Sequence, residues 1–541
     1  MLWQSKHQLV DLLSKLVEHP SVSGTQHEIS MAELIHMKLQ QLSYFKENPD
    51  HLQLNPISDG RLFVTALVKK PSCSKTVILL SHFDVVGVED FGNWKNLAFR
   101  PQELTQEYLK NKHLFSSTVQ EDIESGDWLF GRGSMDMKAG LALQMSMIER
   151  AVNGEFEGNL LLLPVPDEEV NSAGMIGAVP KLVELAKTYD LEYTACLNSE
   201  PMFSKYPGDE NFYMYTGSIG KTLPGFFCYG KETHVGEPFS GLNANLMVSE
   251  LTKVLELNTD FCEVVDGEVT PPPTNLMQKD LKLEYNVQIP HSAVTLFNVL
   301  FMERSLKEMT DMLIDKMEIA ARNIEQYYME HVEQYRKIET FEHQEMNVNV
   351  FTYEQLLEIA IEKFGKEEIE RRQNYLQSNR FEQGDRDFST KLVQDLALIC
   401  KEHSPMIVLF YSPPFYPAVS SSHEGIISSI RDQLIHYAKD KFDIEIKPLH
   451  YFSGLSDLSF IGLKDSKEEL DPLLMNMPLF EKGYVLPFEE LASLKVPVLN
   501  VGPFGRDPHQ WTERLHVPIS FEVFPDLIAK TIDELFQYGK A

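Results

Sequence analysis

The sequence predicts an α/β protein with a mixed central sheet flanked by helices, interrupted by an inserted α+β domain. Two observations carry this expectation. Short apolar runs bounded by turn residues alternate with helical patterns near the start of the chain, and the same alternation resumes from about Ser421 after a middle richer in helix. The chain opens on two amphipathic helices: Leu9, Val10, Leu12, Leu13, Leu16 and Val17 recur at helical spacing, and a second such pattern covers 27–42. Strand candidates follow at 61–68, 76–86, 159–166 and 193–201, with helical patterns at 138–152 and 173–188 between them. Their unbroken apolar character is that of strands buried on both faces. In the middle, amphipathic stretches at 242–257 and 305–338 alternate with strand-like runs at 223–235, 281–290, 293–302 and 406–414, followed or preceded by a charged, helix-rich section at 339–400. Beyond Ser421 come a helix to Lys441, strand-like runs at 444–452 and 496–505, and a final helix. The expected organisation is one domain of 1–215 and 421–541, interrupted by a domain of 216–420 whose extra insertion near 339–400 either closes over a cleft or enlarges the inserted domain.

The 541 residues include 80 acidic against 49 basic side chains, a formal charge of −31. That balance excludes a nucleic-acid or anionic-membrane surface as the main partner. Five scattered cysteines, odd in number and without a C-x-x-C pair, argue against a disulfide framework and fit a reducing, cytoplasmic setting. The first residues mix charges into a helical pattern unlike a signal peptide, and no apolar run approaches the roughly 20 residues of a membrane span.

Chemistry-bearing residues gather where the predicted strands end, the edge at which open α/β sheets bind ligands. Ser81-His82-Phe83-Asp84 ends the apolar TVILL run; alternation puts His82 and Asp84 on one face, with Asp84 either a ligand itself or the partner that fixes the imidazole tautomer. In Gly131-Arg132-Gly133-Ser134-Met135-Asp136-Met137-Lys138 the glycines permit a tight turn, and Asp136 falls at a helix start, as ligand or as cap. Asp167-Glu168-Glu169 follows a buried apolar run, where unpaired charge is expensive and a cation relieves it. Glu200, in Asn198-Ser199-Glu200-Pro201, repeats the pattern, and His509 follows a further apparent strand by a loop. Two imidazoles and several carboxylates without a thiolate form a donor set for zinc, cobalt or manganese, and the pool exceeds what one catalytic zinc takes, which favours two metals.

The ordered series His82-x-Asp84, Gly131-Arg-Gly-x-x-Asp136-Met-Lys, Asp167-Glu168-Glu169, Glu200-Pro201, His234 with Gly241-x-Asn243-Ala244, Gly454-x-Ser456-Asp457 and His509-x-x-x-Glu513 resembles the aminoacylase/ArgE/DapE/carboxypeptidase family of di-zinc metallopeptidases. The phrases FNVLF and LFYSPPFYP resemble its arginine-utilisation, RocB-type branch. The resemblance implies a zinc-exopeptidase-like catalytic domain and an inserted lid that often dimerises, so a homodimer through the lid is an expected partner. It further implies that Asp136 bridges two divalent ions, most often zinc, that His82 and Glu200 complete one site, and that Glu169 and His509 complete the other. Asp84 would orient His82, and Glu168 would be the general base acting on a metal-bridging water. His234 matches a lid histidine, supplied by the partner subunit in the family, that donates to the developing oxyanion. Asn243, Gly454, Ser456 and Asp457 stand at positions expected to contact substrate. One departure concerns the lid arginine that grips a substrate carboxylate in relatives: Asn286-Val-Gln-Ile-Pro290 is present, but no basic residue follows before Arg304, leaving His291 and Asn298 as polar stand-ins.

These readings make the chain a metal-dependent peptidase or N-acyl-amino-acid amidohydrolase acting on a small peptide or acylated amino acid, with an arginine- or ornithine-related compound favoured by the narrower resemblance. A catalytically silent binding or regulatory protein in arginine catabolism is the alternative, opposed by the presence of every ligand position and the base. A metal-dependent phosphoesterase is the other, opposed by the lack of a glycine-rich phosphate cradle near these motifs.

Overall fold

The computed structural model describes all residues except 207, 344, 382, 383, 462, 464, 465, 540 and 541. The chain divides into two compact units: Met1–Ile219 with Pro417–Lys464 and Pro487–Ala541, and Gly220–Tyr416 with Asp465–Leu486.

The first unit is built on an eight-stranded mixed sheet in the order Leu52–Pro56, Leu62–Val68, Asn159–Val165, Lys75–His82, Glu192–Asn198, Val498–Asn500, Phe212–Tyr215, Ile446–Leu449. Lys75–His82 runs parallel to both Asn159–Val165 and Glu192–Asn198, and Val498–Asn500 runs parallel to the latter, so four strands point their carboxyl ends the same way. The central strands are buried along almost their whole length, which is why they read as continuous apolar runs. Helices Lys6–Val17, Lys138–Val152 and Phe524–Gln537 share one apolar core with these strands. Ser5 and Gln8 close a capping box on the first helix. The helix Lys138–Val152 is buried on nearly every side, and at Gly140 a Cβ would stand 2.2 Å from the Ser199 carbonyl oxygen.

The second unit has a five-stranded sheet in the order Thr274–Asp280, Ser292–Phe301, Gly220–Tyr229, Met406–Tyr416, Asn349–Thr352. Helices Ala244–Leu255 and Leu306–Tyr335 pack on these strands, the second through Thr310 Oγ1 at 2.8 Å from Tyr411 Oη. The alternate residues Phe227, Tyr229, Val408 and Phe410 face Tyr353, Leu356, Val393 and Leu396 of the helices Tyr353–Phe364 and Asp385–Ile399. The helices Tyr353–Phe364 and Asp385–Ile399, from the section expected to be helix-rich, thus cover one face of this sheet. The helix Lys467–Leu474 also belongs here, packed against Leu306–Tyr335. The strand expected at 281–290 is not formed: the strand is Thr274–Asp280, and the following segment exposes Leu283 (99%) and Tyr285 (95%).

Candidate metal centre

Strand register sets the first part of the site. His82, last residue of its strand, pairs with Val165, and Leu80 pairs with Asn198, so Glu168, Glu169 and Glu200 emerge beside His82 at one edge. Asp136 comes from the turn between the strand Trp128–Phe130 and the helix Lys138–Val152. That helix is capped from Met137 without a side-chain bond, so of the two readings of Asp136, ligand or cap, it is not the cap. His509 is carried in by the loop after Val498–Asn500, and a small sheet joining Gly505–Arg506, Arg514–His516 and Trp128–Phe130 ties its loop to the Asp136 turn. Gly502 is required there, since a Cβ would lie 1.9 Å from the Glu200 carbonyl oxygen.

Two donor clusters result, with Asp136 common to both. His82 Nε2 stands 3.3 Å from Asp136 Oδ1 and 3.4 Å from Glu200 Oε1. His509 Nε2 stands 3.2 Å from Asp136 Oδ2 and 3.1 Å from Glu169 Oε1. Glu168 Oε2 lies 4.0 Å from His82 Nε2, outside both clusters. His82 and Asp136 are buried, whereas the His509 side chain is 47% exposed.

Asp84 organises the first half. The His82 Nδ1–H donates to the Asp84 carbonyl oxygen at 3.1 Å, leaving the Nε2 lone pair for the cluster. The Asp84 carboxylate accepts the N–H groups of Glu168 (3.1 Å) and Glu169 (3.2 Å) and the Ser23 hydroxyl (2.7 Å). Behind it, Arg61 donates to Asp167 at 2.6 Å and to Glu28, anchoring Asp167 in its left-handed conformation (φ 69°) next to Glu168.

Burial raises the carboxyls of Glu168, Glu169 and Glu200, and neighbouring carboxylates raise them further. Asp136 is held well below the usual carboxylate range: burial opposes ionisation, but hydrogen bonds from His509 and His82 outweigh it. The same bonds lift His509 to about 11 against the effect of burial, and His82 is raised as well by Glu200 and its hydrogen-bonded carboxylates. Such a shell of oxygen and imidazole donors, with more carboxylates than its histidines neutralise, fits divalent cations of the zinc, cobalt or manganese kind.

The other expected site residues belong to neither cluster. Ser456 and Asp457 are buried, Ser456 accepting the Asn198 amide at 2.7 Å, whereas Gly454 is exposed. Burial pushes Asp457 up to about 7. In the second unit, His234 is bridged to Gln288 and its Nδ1 accepts the Gly236 N–H at 3.1 Å, while Asn243 caps the helix Ala244–Leu255. Arg304 is committed to the carbonyl of Phe261 at 2.7 Å, His291 lies against the Tyr229 ring, and Asn298 sits in strand register with Thr274. Ser23, Arg61 and Arg132, which support the site, carry no sequence signal beyond the glycines flanking Arg132. Glu513 does, through its fixed distance from His509.

The chain matches peptidase family M20/M25/M40 over residues 78–465. It is 56% identical over 541 residues to YqjN of Bacillus subtilis (strain 168), covering 100% of this chain and 98% of the relative. To protein RocB of the same organism it is 34% identical over 542 residues, covering 97% and 94%. The M20 family metallo-carboxypeptidase Sso-CP2 from Sulfolobus solfataricus shares its fold, with a TM-score of 0.55 at 11% identity over 98% of this chain and 99% of that one. Sequence match and fold agree with the resemblance read from the motifs: the chain belongs to the M20/M25/M40 peptidase family.

Proposed function

We propose that the chain is a two-metal hydrolase that cleaves the amide bond of a short peptide or an N-acyl amino acid. The observation that carries this reading is Asp136, whose two carboxylate oxygens stand against separate histidines, each of which also stands against its own glutamate. In this reading His82, Asp136 and Glu200 hold one cation and Asp136, Glu169 and His509 the other, with zinc first and cobalt or manganese as alternatives. When bound, such cations lower the pKa of a water and polarise a carbonyl. Glu168, outside both clusters and beside His82, is assigned to take a proton from the attacking water and pass it to the leaving nitrogen, giving an amine and a carboxylic acid. Its burial and its carboxylate neighbours make it the more basic, as a proton carrier near neutral pH must be. Asp84 holds His82 and the Glu168 and Glu169 amides in place. His234, matching a histidine that the partner subunit contributes in the family, is the proposed donor to the oxygen on which charge develops across a homodimer; its Nδ1 accepts the Gly236 N–H, which leaves Nε2–H to donate. Family membership supports a short peptide; the RocB-type resemblance favours an arginine- or ornithine-related one.

Metal analysis combined with hydrolysis of N-acyl-arginine, arginyl dipeptides and unrelated N-acyl amino acids, with zinc, cobalt or manganese added, tests the reading. Up to two ions per chain are expected, lost in Asp136→Ala. Glu168→Gln should retain them and lose at least about 100-fold in rate, the lower end of what a positioned proton carrier contributes. Full metal retention in Asp136→Ala, or parental turnover in Glu168→Gln, overturns the assignment of that residue.

A further inference from the structure

Glu513 belongs to neither donor cluster, yet its carboxylate is fully buried. Its Oε1 accepts the main-chain N–H of Met135 at 3.2 Å and of Asp136 at 3.4 Å, and its Oε2 accepts Arg132 Nη1 at 2.6 Å. Arg132 is itself fixed, donating through Nη2 to both Asp90 oxygens at 3.1 and 3.0 Å and through Nε to the Gly87 carbonyl at 3.3 Å. A buried carboxylate is costly unless its lone pairs are used, and here they are used on the turn that presents Asp136. Holding the two segments together does not need it. The strands pair Arg514 with Phe130, and the Gly131 N–H already donates to the Glu513 carbonyl at 3.1 Å. What the side chain adds is the orientation of the Met135 and Asp136 peptides.

We propose that Glu513 is a positioning residue for the metal centre: by gripping the Met135 and Asp136 amides from the loop that carries His509, it turns the Asp136 carboxylate so that Oδ1 faces His82 and Oδ2 faces His509. The inference rests on the two-metal reading. One loop then both supplies a histidine and aims the shared carboxylate at it, so the two clusters are set by one stretch of backbone. A glutamine at 513 keeps one acceptor for the amides but turns an N–H group towards Arg132 or towards the amides themselves, and either choice sets donor against donor.

Titration of the full chain with zinc alone, and visible absorption of the Co(II)-loaded protein, test this without substrate. Glu513→Gln, folded by circular dichroism, should bind zinc about 10- to 100-fold more weakly, the usual effect of losing a group that orients a ligand, and its Co(II) bands should shift. Parental affinity with unshifted bands overturns the assignment. Should the variant fail to fold, hydrogen–deuterium exchange on the chelated parent decides. Protection over 131–137 before any metal is added supports the grip by Glu513, and protection that arises only with zinc overturns it. A parent that takes up neither metal defeats the two-metal reading and this inference with it, whereas parental uptake beside an unaltered variant defeats the Glu513 assignment alone.

Discussion

Asp84 shows how one buried residue orients several acidic and imidazole side chains without joining their clusters. Its two oxygens are spent on three donors, the Glu168 and Glu169 amides and the Ser23 hydroxyl, while its main-chain carbonyl fixes the His82 tautomer. Asp84→Asn keeps the size and loses one acceptor, so one of the two amides faces an N–H group. We expect zinc affinity to fall about 10- to 100-fold, read by competition with a chelating dye. Unchanged affinity would show that the Glu169 and His82 positions are set by something else. At this scale the sequence was informative about identity more than orientation. That His82, Asp136, Glu169, Glu200 and His509 come together as possible donors was readable from strand ends and motif order, but the division of the Asp136 oxygens between two histidines depends on side-chain torsions that no spacing encodes. Ser456 and Asp457, expected to contact substrate, lie buried: Ser456 accepts the Asn198 amide, and Asp457 is close enough to raise the Glu168 and Glu200 carboxyls.

The elements that carry the site pack without spare room, and glycine marks the tightest approach. The helix Lys138–Val152 lies so close to the end of Glu192–Asn198 that a methyl group at Gly140 would overlap the Ser199 carbonyl. Backbone cannot yield as a flexible side-chain tip can, so Gly140→Ala should destabilise by at least about 1–3 kcal/mol, as overpacked cores do, and displace Glu200. The urea midpoint measures the first effect and zinc affinity the second; a parental midpoint would mean that the helix has room to move. The central strands were legible because burial on both faces leaves a continuous apolar run. The edge strand Thr274–Asp280 was not, since its side chains are largely solvated and its sequence, TNLMQKD, has no apolar face to display. The apolar residues that follow it, Leu283 and Tyr285, drew the expectation to 281–290 although they are exposed.

Across the whole molecule, buried acid makes stability depend on pH and on metal together. Burial holds the carboxyls of Glu28, Asp457 and Glu513 at about 7, above the roughly 4 of an unfolded chain. Between about pH 4.5 and 7 the folded, chelated protein therefore holds protons that the unfolded chain has released, and its stability falls as pH rises, by about 1.4 kcal/mol per pH unit for each full proton of difference. The urea midpoint in chelator should be lower at pH 7 than at pH 5, and zinc at 100 times its Kd should restore about 2.7 kcal/mol at pH 7. Equal midpoints at the two pH values would contradict the burial of these acids.

The strand Val498–Asn500 lies between Glu192–Asn198 and Phe212–Tyr215, strands made far earlier in the chain. At about 5–20 residues per second a ribosome needs roughly 15–60 s to go from one to the other. During that interval the nascent sheet lacks an inner strand, with the edges of its neighbours open and His509 not yet synthesised. The centre can thus be completed only at the end of synthesis, and the growing chain must be kept from pairing those edges with another copy in the meantime.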